Sequence, residues 1–491
     1  MTRVYSIARF RRVQGTVFVL ALLLAFPSAR IFAQGTLSTI LTNGPTSKRI
    51  NIVVLSEGYQ SNQLAQFLVD ATNTVNNLFA AQPFQEYSNY FNAFAISVAS
   101  VESGSDNPVT GEFRNTYFNS MYYSYGNEQL ITIPPNAWTN GGTVYGSNDY
   151  NQGKGKIQTL LTNLMPQYDF VVLVVNHPQS GGSGEPPTPG DPLPLAITSI
   201  NPSYGPEIVV HESGHMIGGL ADEYTNSYSG FTPVEMPNAT TQTNRAQIKW
   251  TTWILTNTPL PTPNDPTNSD VVGLFQGAQY QTSGWYRPQL DCKMNHLFVP
   301  FCDICSEQLV LSIYKINRVR IIDSFSPAST NFSIFSTQPV AFGVTPMQPA
   351  THNLTVQWYT NGVAVSGATN STFQFFPESV GNGTNQVRAI VHDPTPLVRN
   401  DPAKLLRGTN TWSVSVSLNQ LSLNDAVFLS DGRFRLTVVG TAAQGFVIQA
   451  STNLVNWVSL VTTNLSAGRF DYTNSGLANI PYRFYRVYSP P

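Results

Sequence analysis

The stretch His211-Glu212-Ser213-Gly214-His215-Met216-Ile217-Gly218-Gly219-Leu220-Ala221-Asp222-Glu223-Tyr224 carries the most informative pattern in the chain. On a helix, His211 and His215 lie one turn apart on the same face, so both imidazoles can reach one metal ion. Glu212, beside the first histidine, can take a proton from a water molecule at that ion. The alternative is an amphipathic helix with two surface histidines. The His-Glu-x-x-His spacing favours a zinc peptidase site.

The residues on either side of the motif agree with this interpretation. Pro206 predicts the start of a helix, and the pair Gly218-Gly219 predicts its end just after the second histidine. The chain can then turn back beneath the ion, where Asp222 or Glu223 could supply a third, oxygen ligand. Three protein ligands leave one position open for water, which is typical of a catalytic rather than a structural zinc site.

Further segments accompany the motif in a fixed order: Asn51-Ile52-Val53-Val54-Leu55-Ser56-Glu57-Gly58-Tyr59, Pro83-Phe84, Tyr90-Phe91-Asn92, Ser103-Gly104, Tyr286-Arg287-Pro288, Cys292-Lys293-Met294 and Phe301-Cys302-Asp303-Ile304-Cys305. Together with the motif, they resemble the IgA-peptidase family of secreted zinc metalloendopeptidases over residues 48–318. Two positions depart from the family's pattern. Ser213 stands where a bulky apolar residue is expected, and Gln276 stands where a Glu is expected.

The resemblance to metzincin-like zinc peptidases implies roles for several residues. In the metzincin pattern a glycine follows the second histidine by three positions and the third ligand by six. Gly218 keeps the first offset, but the sixth position is Ala221, so one extra residue moves the next candidate to Asp222, with Glu223 as the alternative. Met294 matches the methionine that forms an apolar floor beneath the metal; the alternative is an ordinary core methionine.

Two residues near this methionine are candidates for a supporting role. Either Tyr286 or His296 could donate a hydrogen bond to the oxyanion that develops during hydrolysis. Upstream of the motif, a Gly- and Ser-rich loop at 180–184 could carry a strand edge that pairs with an extended peptide, or could be a plain surface loop.

The composition and the N-terminal segment indicate the class of protein and its location. The 491 residues carry a net charge of -2 with 11% charged residues, and no charge run predicts a nucleic-acid partner. Residues 1–33 predict a signal peptide: four arginines precede the apolar run 17–26, and Ala33 is a plausible cleavage site. The alternative is an uncleaved membrane anchor. No later apolar run is long enough to span a membrane, so we expect an exported, soluble mature protein.

Hydrophobic patterning divides the mature chain into three parts. In residues 34–320, buried-strand patterns at 51–55, 90–101 and 169–176 alternate with helical patterns at 64–78 and 157–164. This predicts an α/β (α+β) metzincin-like peptidase domain with a mixed sheet and an active-site helix. Short alternating strands then predict two all-β sandwich modules, an immunoglobulin-like one at 321–420 with Trp358 in its core, and a smaller one at 421–491.

The three cysteines, Cys292, Cys302 and Cys305, all lie within one short region. In an exported protein the default expectation is one disulfide with one thiol left over. The alternative is a structural zinc site in which His296 would be the fourth ligand.

These observations lead to one functional prediction and one alternative. The prediction is a secreted Zn²⁺-dependent endopeptidase in which His211, His215 and a carboxylate hold the metal and Glu212 is the general base. Its partner would be a protein or peptide substrate, with possible surface or glycan contact through the C-terminal modules. The alternative is an inert peptidase-like domain that acts as a glycan- or surface-binding adhesin. An intact Glu212 favours the enzyme, because zinc binding alone does not require it.

Overall fold

The computed structural model describes residues 35–228, 231–335, 338–417, 421–475 and 483–489. The predicted signal peptide at 1–33 lies outside these residues. Within the described ranges, no helix has the length and the apolar character needed to cross a bilayer.

The part of the chain up to residue 320 combines helices with a mixed sheet. Its elements are, in order, β1 (Thr36–Leu41), β2 (Ile50–Glu57), α1 (Leu64–Ala80), β3 (Phe91–Ser97), β4 (Trp138–Asn140), β5 (Thr143–Tyr145), α2 (Lys154–Leu164), β6 (Phe170–Val175), β7 (Gly182–Glu185), β8 (Leu195–Ser199), α3 (Gly205–Gly218), β9 (Phe275–Ala278), β10 (Gln281–Arg287) and α4 (Asp303–Lys315). The main sheet has the order β1-β3-β2-β6-β8-β7, with parallel central strands and an antiparallel strand at each edge. The prediction of helices combined with a mixed sheet is therefore confirmed.

Both faces of this sheet are covered, which explains why its central strands are apolar throughout. Every residue of β2 and β6 is buried. Because side chains alternate along a strand, Ile52 and Val54 pack on one face with α1, α3 and α4, whereas Val53 and Leu55 pack on the other face with α2. The metal-motif helix α3 is thus fixed against one face of a rigid sheet.

The second part of the chain forms two facing sheets. Its strands are β11 (Ile322–Ser326), β12 (Asn331–Phe335), β13 (Val340–Pro346), β14 (Thr355–Thr360), β15 (Val363–Ala364), β16 (Thr372–Phe375), β17 (Gly383–His392) and β18 (Arg407–Ser417). The sheet orders are β11-β13-β16 and β12-β18-β17-β14-β15. Trp358 is fully buried between them, as predicted, and stacks on Trp412 with ring centroids 5.8 Å apart.

The third part of the chain is a smaller pair of three-stranded sheets. It comprises β19 (Ser422–Phe428), β20 (Phe434–Val439), β21 (Gly445–Ser451), β22 (Val458–Asn464), β23 (Arg469–Asn474) and β24 (Phe484–Tyr488). The sheet orders are β19-β20-β23 and β22-β21-β24, and Phe446, Ile448 and Val438 are buried between them. This arrangement is consistent with the predicted C-terminal β-module.

Packing continues across the predicted domain boundary at residue 320. The Asp393 carboxylate accepts hydrogen bonds from the hydroxyls of Tyr87, at 2.8 Å, and Tyr314, at 2.6 Å. The Arg399 guanidinium lies over the Trp253 ring, 3.9 Å from its centroid. One hydrophobic cluster includes residues from both sides. The first sandwich therefore buttresses the domain that carries the motif.

Candidate metal centre

Helix α3 presents the motif from a buried position. Pro206 occupies its first turn, as predicted, and Gly219 ends it in the left-handed conformation with a φ of 59°. His211 and Glu212 are 8% and 9% exposed, so neither is a surface side chain of an ordinary amphipathic helix.

Two histidines and one carboxylate converge on a common point. The Nε2 atoms of His211 and His215 are 3.2 Å apart, and Asp222 Oδ1 is 3.1 Å from the first and 3.2 Å from the second. In a tetrahedral zinc site with bonds of about 2.0–2.1 Å, neighbouring ligand atoms are about 3.3 Å apart. The three atoms therefore have the spacing that a zinc ion requires.

The other nitrogen of each ring is held by a backbone carbonyl. His211 Nδ1 is 2.8 Å from the carbonyl oxygen of Lys293, and His215 Nδ1 is 2.7 Å from that of Leu220. A carbonyl only accepts, so each Nδ1 must carry a proton and donate it. In the neutral ring this leaves the Nε2 lone pair directed at the convergence point, as a metal ligand requires.

The electrostatics of the group also favour a cation. Burial by itself lowers the pKa of His215, but the Asp222 carboxylate outweighs it and raises that pKa to about 9. Burial by itself raises the pKa of Asp222, but the two histidines hold it well below its usual range. The group thus stabilises positive charge in the protein interior. A divalent cation would supply this charge, as bound protons do.

Glu212 lies beside this group without belonging to it. Burial raises its pKa, with opposing contributions from His211 and His215. Strand β7 packs against α3 at this point: a Cβ atom at Gly182 would lie 3.0 Å from Glu212 Oε1, and one at Gly184 would lie 2.3 Å from the Glu212 carbonyl oxygen. A buried carboxylate with a raised pKa, free of the ligand set, suits a general base.

Two tyrosines lie next to the three converging side chains. The Tyr280 hydroxyl donates a hydrogen bond to Asp222 Oδ2, the oxygen that does not face the histidines. Burial and the nearby Asp222 charge raise the pKa of Tyr280, so this hydroxyl keeps its proton. The Tyr224 hydroxyl is 3.4 Å from that of Tyr280, and its ring stacks on His211.

The turn between β9 and β10 brings Tyr280 to this position. Gln279 and Tyr280 both have positive φ, which is the geometry of a tight hairpin turn. Their N–H groups donate to the carbonyl oxygens of Asp222, at 2.9 Å, and Tyr224, at 3.0 Å. Sequence reasoning missed Tyr280, because a Gln-Tyr pair is not a typical residue choice for such a turn. The apolar residues Phe275 and Ala278 before the turn, and Trp285 and Tyr286 after it, were the available signal.

The structure places Met294 under the motif helix. Met294 is fully buried, and a Cβ atom at Gly214, between the two histidines, would lie 2.7 Å from its sulfur. The Met294 carbonyl oxygen accepts a hydrogen bond from the Glu223 N–H at 2.8 Å. The sulfur therefore packs directly against the part of α3 that carries the histidines.

The remaining candidates make contacts with other residues. Tyr286 is on β10, where its backbone pairs with Thr240, and the His296 side chain is 60% exposed and contacts Asp291. Glu223 faces away from the histidines and groups with the three cysteines, which are all free. The expected disulfide is therefore absent among the described residues.

The two departures from the family's pattern do not belong to the group formed by His211, His215 and Asp222. Ser213 is fully buried on α3, and its hydroxyl has no hydrogen-bond partner among the described residues. Gln276 is an exposed residue of β9. The candidate ligand set therefore does not include either position.

One buried and one half-buried histidine that face one point together with a carboxylate, beside a separate carboxylate, are typical of metal-dependent hydrolases. The family model described as IgA Peptidase M64 matches residues 39–270 and 264–313, and the chain belongs to this family. It is therefore a peptidase. No curated protein matches the chain.

Proposed function

We propose that this chain is a secreted, zinc-dependent endopeptidase. The observation that carries the proposal is the set of His211 Nε2, His215 Nε2 and Asp222 Oδ1, spaced at 3.1–3.2 Å, with Glu212 next to them and outside the set. The apolar leader at residues 17–26 supports export. The buried Glu212 favours an enzyme over an inert binding protein.

The proposed chemistry divides between the ion and the chain. A zinc ion held by the three side chains would lower the pKa of water and polarise the scissile carbonyl group. Glu212 takes the proton from the water molecule that attacks the carbonyl carbon. As the carbon–nitrogen bond breaks, Glu212 delivers that proton to the leaving amine. Tyr280 fixes the orientation of the Asp222 carboxylate through its hydrogen bond.

Strand β7 is the candidate surface for the substrate. It lies at one edge of the main sheet, and its glycines lie close to Glu212 and to the Cβ atom of His215. At Gly182 this edge is already paired, because the Gly182 N–H donates to the Gln129 carbonyl and the Gly182 carbonyl accepts from the Ile131 N–H, so residues 183–185 form its open part. A peptide in extended conformation that added to the open part of this edge would lie beside the segment of α3 that carries Glu212 and His215. This arrangement suits cleavage within a chain, because an edge strand does not require a free terminus.

Removal of the metal is expected to abolish peptide cleavage. A chelator should stop hydrolysis of a quenched-fluorescent peptide library by the purified full chain, and added Zn²⁺ should restore it, because the Nε2 atoms and Asp222 have no role without the ion. Circular dichroism before and after chelation controls for unfolding. Cleavage that continues at full rate in the chelated, folded protein would rule out a metal-dependent mechanism.

Tyr280→Phe is expected to weaken catalytic metal binding or activity by about 10- to 100-fold, because a residue that orients a ligand typically has an effect of this size. The substitution removes only the hydroxyl that donates to Asp222. Tyr228→Phe is a matched control, because Tyr228 contacts the Tyr280 ring without contacting Asp222. Equal losses in the two variants would mean that the Tyr280 hydrogen bond does not orient the ligand.

A further inference from the structure

A second group of metal-ligand side chains lies behind the candidate metal centre. Glu223, Cys292, Cys302 and Cys305 each offer a ligand atom, and these four atoms all lie within 4.8 Å of one another. Three of the side chains are fully buried and Cys302 is 5% exposed. Three thiols and a carboxylate gathered in a protein interior need a chemical explanation, since nothing in the packing of apolar residues requires them.

The sulfur atoms are surrounded by backbone donors. Cys292 Sγ accepts hydrogen bonds from the N–H groups of Cys302, at 3.3 Å, and Met294, at 3.5 Å. Cys302 is the N-cap of α4, and its sulfur accepts from the Cys305 N–H at 3.5 Å. Backbone N–H groups and a helix N-terminus stabilise thiolate rather than thiol. These donors favour a negatively charged sulfur at Cys292, which accepts two of them, whereas the Cys305 thiol donates to Glu223 Oε1.

The carboxylate of Glu223 is only partly satisfied by hydrogen bonds among the described residues. Its Oε1 accepts a hydrogen bond from Asn238 Nδ2 at 2.8 Å and lies 3.4 Å from Cys305 Sγ. Its Oε2 is buried without a hydrogen-bond partner among the described residues. Such a group costs free energy unless it is paired with a cation or a donor.

We propose that Glu223, Cys292, Cys302 and Cys305 hold a second zinc ion in a closed, structural site. Four protein ligands fill a tetrahedral shell and leave no position for water, which distinguishes this site from the catalytic one. The Cys302-x-x-Cys305 spacing is typical of structural zinc sites, and thiolates select zinc over hard cations. Arg287, 9% exposed and close enough to interact electrostatically with Glu223 and Cys292, offsets part of the negative charge of the ligands.

The position of this site gives it a role in the peptidase. Glu223 directly follows the catalytic candidate Asp222. Cys292 directly precedes Lys293, whose carbonyl holds His211, and Met294 under α3 follows. One ion bound to these segments and to the start of α4 would fix the loop and the turn that position the catalytic centre. The site does not depend on the proposed activity, because its ligands are different residues.

Zinc analysis of the purified full chain tests the proposal. We expect about two zinc ions per wild-type chain, one in His211→Ala/His215→Ala, and one in Cys302→Ser/Cys305→Ser, each counted by elemental analysis. Loss of the cysteine site in a folded variant, judged by circular dichroism, should leave the histidine site measurable by the same count. A wild-type chain with a single zinc ion that the histidine variant loses would overturn the proposal.

Cobalt substitution gives a readout that needs no cysteine variant. Co²⁺ bound by thiolates shows a sulfur-to-metal charge-transfer band in the near ultraviolet, which histidine and carboxylate ligands do not produce. We expect this band in the cobalt-loaded wild type and, undiminished, in His211→Ala/His215→Ala. In Glu223→Gln the band should persist at saturating Co²⁺ but be weaker at limiting Co²⁺, because the variant keeps the three thiolates and lacks one ligand. Absence of the band in the cobalt-loaded wild type, or a disulfide in its mass spectrum under non-reducing conditions, would overturn the proposal. Failure of the catalytic site alone would leave the band intact.

Discussion

Glu212→Gln is expected to lower kcat by about 100- to 10,000-fold, the usual contribution of a general base. The amide and the carboxylate have nearly the same shape, so the buried packing against β7 is kept and only the proton acceptor is lost. Burial raises the pKa of Glu212, which brings it closer to the pH at which a base works well. The measurement is the rate of peptide cleavage at saturating substrate together with the zinc content.

The zinc content separates the two roles that Glu212 could have. Because Glu212 is not in the group of converging ligand atoms, the variant should retain the metal content of the wild type. Glu128→Gln, at an exposed position, is the matched control and should keep full activity. A zinc-replete Glu212→Gln protein with an unchanged kcat would show that another group moves the proton.

Asp222→Ala is expected to remove most of the zinc affinity of the catalytic centre, and with it the activity. The substitution deletes the only carboxylate in the group formed with His211 and His215, and it leaves two neutral imidazoles to hold a divalent ion. A zinc titration of the protein, followed by metal analysis, measures the loss. The zinc held by the cysteines should remain, so the total should fall by about one ion per chain.

Asp291→Ala is the matched control for this titration. Its carboxylate is 61% exposed and contacts His296, away from the three metal-facing atoms, so its loss should leave the zinc content unchanged. An Asp222→Ala protein that binds as much zinc as the control would exclude Asp222 as a ligand. In that case the alternative carboxylate from the sequence, Glu223, would have to turn away from the cysteines.

The local pattern around the motif was predictable because it depends on short-range geometry. Pro206 lies at the start of α3 and Gly219 at its end, as expected. Helical spacing alone places His211 and His215 on one face. The buried strands β2 and β6 were equally clear, since a strand covered on both faces must be apolar along its whole length.

Long-range contacts were not predictable from the sequence. Tyr280 reaches Asp222 across 58 positions through a hairpin turn, and no local pattern encodes that meeting. Two adjacent residues also point in different directions, because Asp222 faces the histidines whereas Glu223 faces the cysteines. The cysteine spacing suggested either a disulfide or a site with His296, and the partner that the fold supplies, Glu223, comes from a loop about seventy residues earlier.

In the C-terminal modules, too, local features were predictable from the sequence and long-range contacts were not. The alternation of apolar residues predicted their strands and the buried Trp358, because each sandwich has one inner and one outer face. Alternation does not encode which outer loops contact a neighbouring domain. The hydrogen bonds of Asp393 with Tyr87 and Tyr314 join groups that are far apart in sequence.

Anomalous diffraction at the zinc absorption edge, from crystals of the full chain grown with zinc, shows directly whether His211, His215 and Asp222 hold a zinc ion. We expect a peak about 2.0–2.1 Å from the Nε2 atoms of His211 and His215 and a similar distance from Asp222 Oδ1, with Glu212 outside the bonded set. Density for an ordered motif helix with no anomalous peak among these three side chains would contradict it.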